Sequence, residues 1–145
     1  MTTNKKYDGF SDAERAAMKE RAEELKNSGK GGKKKADDLE ALLAKVAELP
    51  DEDRIMAERI HAIVTSVAPQ LDPKTWYGMP AYAKDGKIVV FLKPASKFDS
   101  RYATLGFEEA AQLDDGNMWV TSYALVELGD AEVRKIEALV RKAAG

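Results

Sequence analysis

Thr75-Trp76-Tyr77-Gly78-Met79-Pro80-Ala81-Tyr82-Ala83-Lys84-Asp85-Gly86-Lys87-Ile88-Val89-Val90-Phe91-Leu92-Lys93 decides how this chain folds. From Thr75 to Ala83 and from Ile88 to Lys93 the apolar residues follow a two-residue period. Between them Asp85-Gly86 supplies two residues that tolerate positive φ, the requirement of a tight hairpin. Strand, turn and strand are therefore expected. Three of the chain's eleven aromatic residues, Trp76, Tyr77 and Tyr82, fall within eight positions here, broken by Gly78 and Pro80. Gly78 admits backbone geometry closed to other residues, and Pro80 cannot donate to a strand ladder, so the first strand reads as an edge strand or pocket wall. Alternation places Trp76 and Tyr82 on one side and Tyr77 and Met79 on the other.

Upstream the period changes to that of helices. Leu39, Leu42, Leu43, Val46 and Leu49 recur at three- and four-residue steps from Asp37 until Pro50. Asp51 is placed to cap a second helix whose apolar face is Met56, Ile60, Ile63, Val64 and Val67, closed by Pro69 and Pro73. Further upstream, Ser11-Asp12-Ala13-Glu14 has the spacing of a capping box, so a helix is expected from Ser11 to about Asn27. Its stripe of Met18, Ala22 and Leu25 is thin, which predicts weak docking. Lys30-Gly31-Gly32-Lys33-Lys34-Lys35 reads as a linker, dividing a basic helical arm, residues 1–36, from a folded domain, residues 37–145.

Downstream, Arg101 to Leu105 reads as a third strand, Phe107 to Leu113 as a short helix and Asn117 to Val126 as a long fourth strand. A last helix begins near Asp130 with Val133, Ile136, Leu139 and Val140 inward. Strands segregated from helices predict an α+β fold, a four-stranded antiparallel sheet with helices on one face. In the fourth strand Met118, Val120, Ala124 and Val126 are expected toward the helices. Trp119, Thr121 and Tyr123 would then join Trp76 and Tyr82 on one concave aromatic surface.

Composition narrows the function. The chain has 145 residues, no cysteine and a net charge of -2. It therefore has no disulfide, thiolate metal site or thiol nucleophile, and a cytoplasmic home is the simpler expectation. No apolar run approaches a membrane span, and the first residues lack the apolar core of a signal peptide. Residues 1–35 carry ten Lys/Arg against six Asp/Glu, while residues 36–145 carry thirteen against nineteen. A nucleic-acid binder is more usually basic over its folded domain, so nucleic acid is disfavoured as a partner.

No phosphate-binding loop, dinucleotide fingerprint or nucleophile elbow is present. His61, the only histidine, lacks a local nucleophile or orienting acid and reads as a residue at the margin of the core. Asp51-Glu52-Asp53 is one of several acidic groups whose oxygens suit hard cations, ferric iron among them. The same acids favour the electropositive first turn of a helix. The candidate ligand surface comprises Trp76, Tyr77, Tyr82, Trp119 and Tyr123, with Arg101, Lys93 and Lys97 as cationic neighbours suited to an anionic or aromatic ligand.

Tyr77-Gly78-Met79-Pro80-Ala81-Tyr82, followed by Lys84-Asp85-Gly86-Lys87 and Ile88 to Leu92, resembles the signature of the YdhG-like domain-of-unknown-function family. With the helix ending at Ala68-Pro69 and the strand and helix from Met118 to Ala143, the resemblance covers about residues 37–143. The fuller form from Lys74 to Lys87, with the capped leader Phe10 to Leu25, is similar to a subgroup of bacterial proteins carrying this domain. The resemblance implies a compact α+β fold, and some members are frataxin-like intracellular iron chaperones. Such a role would rest on surface carboxylates, with Asp51, Glu52 and Asp53 as the metal candidates. Many members carry a histidine-containing phrase where Pro94-Ala95-Ser96-Lys97-Phe98 has none, which weakens an inherited metal role in that loop.

These readings converge on a non-enzymatic cytoplasmic binding domain for a small ligand or protein, with iron as a candidate cargo and a second copy of the chain as a candidate partner. The alternative is a nucleic-acid or protein adaptor that works through the basic N-terminal arm.

Overall fold

The computed structural model describes residues 9–26 and 32–145. Helices α1 (Asp12–Lys26), α2 (Gly32–Ala47) and α3 (Asp51–Val67) precede strands β1 (Asp72–Trp76), β2 (Met79–Lys84) and β3 (Lys87–Lys93). A 3-10 turn at Ser96–Phe98, strands β4 (Ala103–Phe107) and β5 (Ser122–Leu125), and helix α4 (Asp130–Ala144) complete the order. The α+β class is as expected, but the sheet has five strands in the order β1-β2-β3-β4-β5, every neighbouring pair antiparallel.

The extra strand comes from Tyr77-Gly78. Both residues have positive φ, 55° and 76°, so the expected single strand from Thr75 to Ala83 doubles back as a two-residue hairpin. Asp85-Gly86, at 51° and 81°, makes the next turn as its composition predicts. β2 is thereby an inner strand, and Pro80 sits opposite Thr75 within it.

Tyr82, Val90, Leu92, Leu105, Phe107 and Leu125 point to the side where Leu42 and Val46 of α2, Ile60 and Val64 of α3, and Ile136 and Val140 of α4 complete one apolar core. Its driving force is the removal of these side chains from water. Val89 is the extra residue where the register shifts opposite Tyr82 and Ala83, and it is buried as well. On the opposite face Phe91 lies against Gly106, where a Cβ would collide with the ring. A glycine is needed there because Phe91 crosses the strand, not because the backbone is unusual.

Several expectations are corrected. The stretch from Asn117 forms strand only at Ser122–Leu125. Its register sets Tyr123 opposite Leu105 and Leu125 opposite Ala103, on the core side, so the alternation is the reverse of the expected one. Met118, Val120 and Val126 are exposed, Met118 by 87%. The expected helix from Phe107 to Leu113 is absent: Phe107 ends β4, and the following turns bury Ala111 and Leu113 while Gln112 N–H donates to Ala143 O at 2.9 Å.

α2 begins at Gly32, so Gly32 to Lys35 of the expected linker are helical; the rest of it lies outside the described residues. Lysines are unfavourable in a first turn, but Lys34 pairs with Asp38 and Lys35 with Asp72 at 3.6 Å. Helix α2 therefore runs across the division expected between residues 36 and 37. Asp51 lies inside α3, which begins after Pro50 without a side-chain cap, and pairs instead with Arg54 at 3.5 Å. The capping box of α1 forms as read: Glu14 N–H donates to Ser11 Oγ at 3.1 Å and Ser11 N–H to Glu14 Oε1 at 2.9 Å.

Candidate functional site

The Tyr77-Gly78 turn is where sequence, strain and charge meet. With two successive residues at positive φ, its two N–H groups lie side by side and need an acceptor. Glu24 of α1 supplies it: Tyr77 N–H donates to Oε1 at 3.1 Å and Gly78 N–H to Oε2 at 2.9 Å. One carboxylate thus bridges two backbone donors, a charge-assisted bidentate contact.

One helical turn earlier, Glu20 completes the cluster. Its Oε2 accepts from Lys45 Nζ of α2 and its Oε1 from Lys97 Nζ of the 3-10 turn, both at 2.7 Å. Burial alone would raise the Glu20 pKa, but the hydrogen bonds and charges of Lys45 and Lys97 outweigh it and hold the carboxyl below the usual range. Lys45 is raised in turn, chiefly by its hydrogen bond to Glu20. The Glu20 carboxylate lies so close to Gly78 that a Cβ there would collide with it. Gly78 therefore serves both the turn and the approach of the acid.

Arg21 stands 5.9 Å above the Tyr77 ring and pairs with Glu24 at 3.3 Å. Behind these contacts α1, α2 and β1 enclose a cleft of about 220 Å³ reached by Leu25, Lys34, Lys74 and Thr75. The arrangement can bind and orient anions. It offers two amide donors, two lysines and a guanidinium, and no nucleophile beside a base.

The structure does not bring the six expected ligand residues to one surface. Trp76 and Tyr77 are neighbours, rings 5.2 Å apart, and Trp76 meets Phe91 edge-on at 5.2 Å on the face away from the helices. Tyr82 is 1% exposed in the core, its hydroxyl 2.9 Å from His61 Nδ1. Burial lowers the His61 pKa and raises that of Tyr82. Tyr123 packs edge-on against Phe107 at 6.2 Å with Lys135 5.4 Å above it. Trp119, 38% exposed, precedes β5 outside any strand. Arg101 stacks on Tyr102 and lines a separate cleft of about 540 Å³ between α3 and the β4–β5 edge.

Glu52 and Asp53 line that same cleft. Asp53 is already engaged: its Oδ2 accepts from Ser96 N–H at 3.1 Å and from the Ser96 hydroxyl, fastening α3 to the 3-10 turn. Among the described residues no three His, Asp or Glu side chains converge in a way that could hold a metal ion. No described helix is long and apolar enough to cross a membrane.

Sequence reasoning placed Lys97 among cationic neighbours but missed Glu20, Glu24 and Lys45. The available signal was two glutamates four residues apart on a helix with a thin apolar stripe, which puts both carboxylates on one face. Comparison with protein-family models, with curated proteins and with solved structures gives no match to this chain.

Proposed function

We propose that this chain is a non-enzymatic binding domain that recognises carboxylates at the Tyr77-Gly78 turn between Lys45 and Lys97. The observation that carries the reading is the bidentate seat of Glu24 on two consecutive backbone N–H groups. Backbone donors fixed by a strained turn need no reorganisation to receive an anion, and the lysines add attraction that is stronger in a partly dry site. The Trp76 and Tyr77 rings beside the turn give a ligand apolar contact, which keeps part of the expected aromatic surface in use.

Membership of residues 37–143 in the YdhG-like family and cytoplasmic residence belong to the same proposal; the consecutive hairpins and the closing strand and helix support the first. An iron-chaperone role draws little from Asp51, Glu52 and Asp53, since Asp51 faces Arg54 and Asp53 holds Ser96. The adaptor alternative keeps a protein partner but reverses the charge that matters, because α1 meets the domain through its glutamates.

The test uses the full-length Glu20→Ala/Glu24→Ala chain, in which the donors are freed. Adding the dicarboxylate glutarate should shift the amide resonances of Tyr77 and Gly78 and leave those of Asp85 and Gly86 in place. Resonances of Tyr77 and Gly78 that stay still at saturating glutarate would overturn the reading.

A further inference from the structure

The carboxylates in the site belong to the chain itself, and the way they are delivered indicates what else fits. Glu20 and Glu24 project from one face of α1 a single turn apart, and the domain receives both: one on Lys45 and Lys97, the other on the Tyr77-Gly78 amides. The receiving groups come from α2, the β1–β2 turn and the 3-10 turn, three elements whose spacing the domain sets. The site therefore measures the separation of two acids on a helix, in addition to their charge.

Apolar burial adds little to the docking of α1. Ala17 is its only buried residue, while Met18 and Leu25 are exposed, Leu25 by 58%. A methyl group removes little area from water, so α1 is held chiefly by Glu20 on Lys45 and Lys97 and by Glu24 on the Tyr77 and Gly78 amides, contacts that another pair of carboxylates can replace one for one. Its covalent attachment to the domain adds to that occupancy by keeping the local concentration of α1 high.

Resting on the carboxylate reading above, we infer that α1 is a displaceable internal occupant, and that the site's external partner is an acidic helix of another protein presenting two carboxylates one turn apart. The closed chain binds such a helix only in the fraction of time that α1 is away, so its apparent affinity is reduced by that fraction. Phe98, flanked by Lys93 at 4.9 Å and Lys97 at 5.8 Å, lies beside the same seat and offers the incoming helix an apolar contact.

The experiment compares full-length wild type with full-length Glu20→Ala/Glu24→Ala. The probe is a fluorescent peptide of residues 10–26 carrying the native Glu20 and Glu24. The variant should bind the peptide about tenfold or more tightly than wild type. That binding should weaken with added salt and disappear when both glutamates of the peptide are replaced by glutamine. Equal binding to both chains would overturn the internal-occupant inference and leave carboxylate recognition intact. A variant that ignores the peptide while glutarate still moves Tyr77 and Gly78 would overturn the helical partner alone. A variant that answers neither probe would remove the carboxylate reading and this inference with it.

Discussion

The two tight turns of the meander have nearly the same backbone and opposite surroundings. Tyr77-Gly78 and Asp85-Gly86 share φ values within about 5° of each other, and both join adjacent antiparallel strands in two residues. Around Gly86 a Cβ would meet nothing within 4 Å, whereas around Gly78 it would strike the Glu20 carboxylate. Asp85 is a residue that tolerates the left-handed region at low cost; Tyr77 is not. One turn only reverses the chain. The other places a bulky ring in strained geometry and offers its N–H groups to a charged partner, and such strain persists where the surroundings over-determine it.

The largest expected effect tests that contrast directly. Gly86→Ala should cost about 1–2 kcal/mol, the strain of a Cβ at positive φ and little more. Gly78→Ala should cost the same strain plus roughly 1 kcal/mol for the displaced Glu20 and its lysine contacts. Paired urea unfolding curves measure the difference. Equal losses at the two glycines would mean that the glutamate cluster contributes nothing to stability, and the contrast would reduce to decoration.

That contrast also explains what the sequence disclosed. Asp85-Gly86 was legible because Asp-Gly is the composition the geometry prefers. Tyr77-Gly78 was not, because a tyrosine at positive φ is stabilised by contacts from a helix more than fifty residues away. The capping box at Ser11 and the stripes of α3 and α4 were legible for the same local reason, each depending on residues within one or two turns. Tyr123 shows the opposite case. In a four-residue strand flanked by exposed Met118, Val120 and Val126, apolar alternation gave the wrong face, and the pairing with Leu105 decided it. The site suffered most, since Glu20, Glu24, Lys45 and Lys97 converge only after α1, α2 and the 3-10 turn are assembled.

An effect of middle size should come from acidification, in two stages. His61 has its pKa lowered by burial beside Tyr82, so the unfolded chain takes up a proton first as pH falls through the ordinary histidine value near 6.5. Its contribution is complete above that value and is lost as pH falls toward the lowered folded one. Glu20 is also lowered, by Lys45 and Lys97 against the cost of burial, so its contribution is complete above the ordinary carboxylate range. It is lost only as pH falls through the lowered value. Relative to the intrinsic rate at each pH, amide exchange at Tyr77 and Gly78 should therefore be insensitive to the first stage and accelerate in the second, as α1 loosens with Glu20 and carries the Glu24 seat with it, while Asp85 and Gly86 keep their protection throughout. Acceleration already in the histidine stage would tie the turn to the core and blur the contrast.

The smallest expected effect is at Asp85. Asn tolerates the left-handed region as well as Asp, and Asp-Gly and Asn-Gly serve the same primed turn. Among the described residues the Asp85 carboxylate makes no hydrogen bond or ion pair that could be lost, so Asp85→Asn should change stability by less than about 0.5 kcal/mol. A near-zero result is informative because the geometry at 85 matches that at 77 while the side chain's surroundings do not. It would show that the turn at 85 depends on its backbone-tolerant residue and on no contact of the carboxylate. The cost of tyrosine at 77 must then be offset by Trp76, Arg21 and the Glu24 seat. A loss well above about 1 kcal/mol would give the Asp85 carboxylate a structural task of its own, and the second turn could no longer serve as the plain reference for the first.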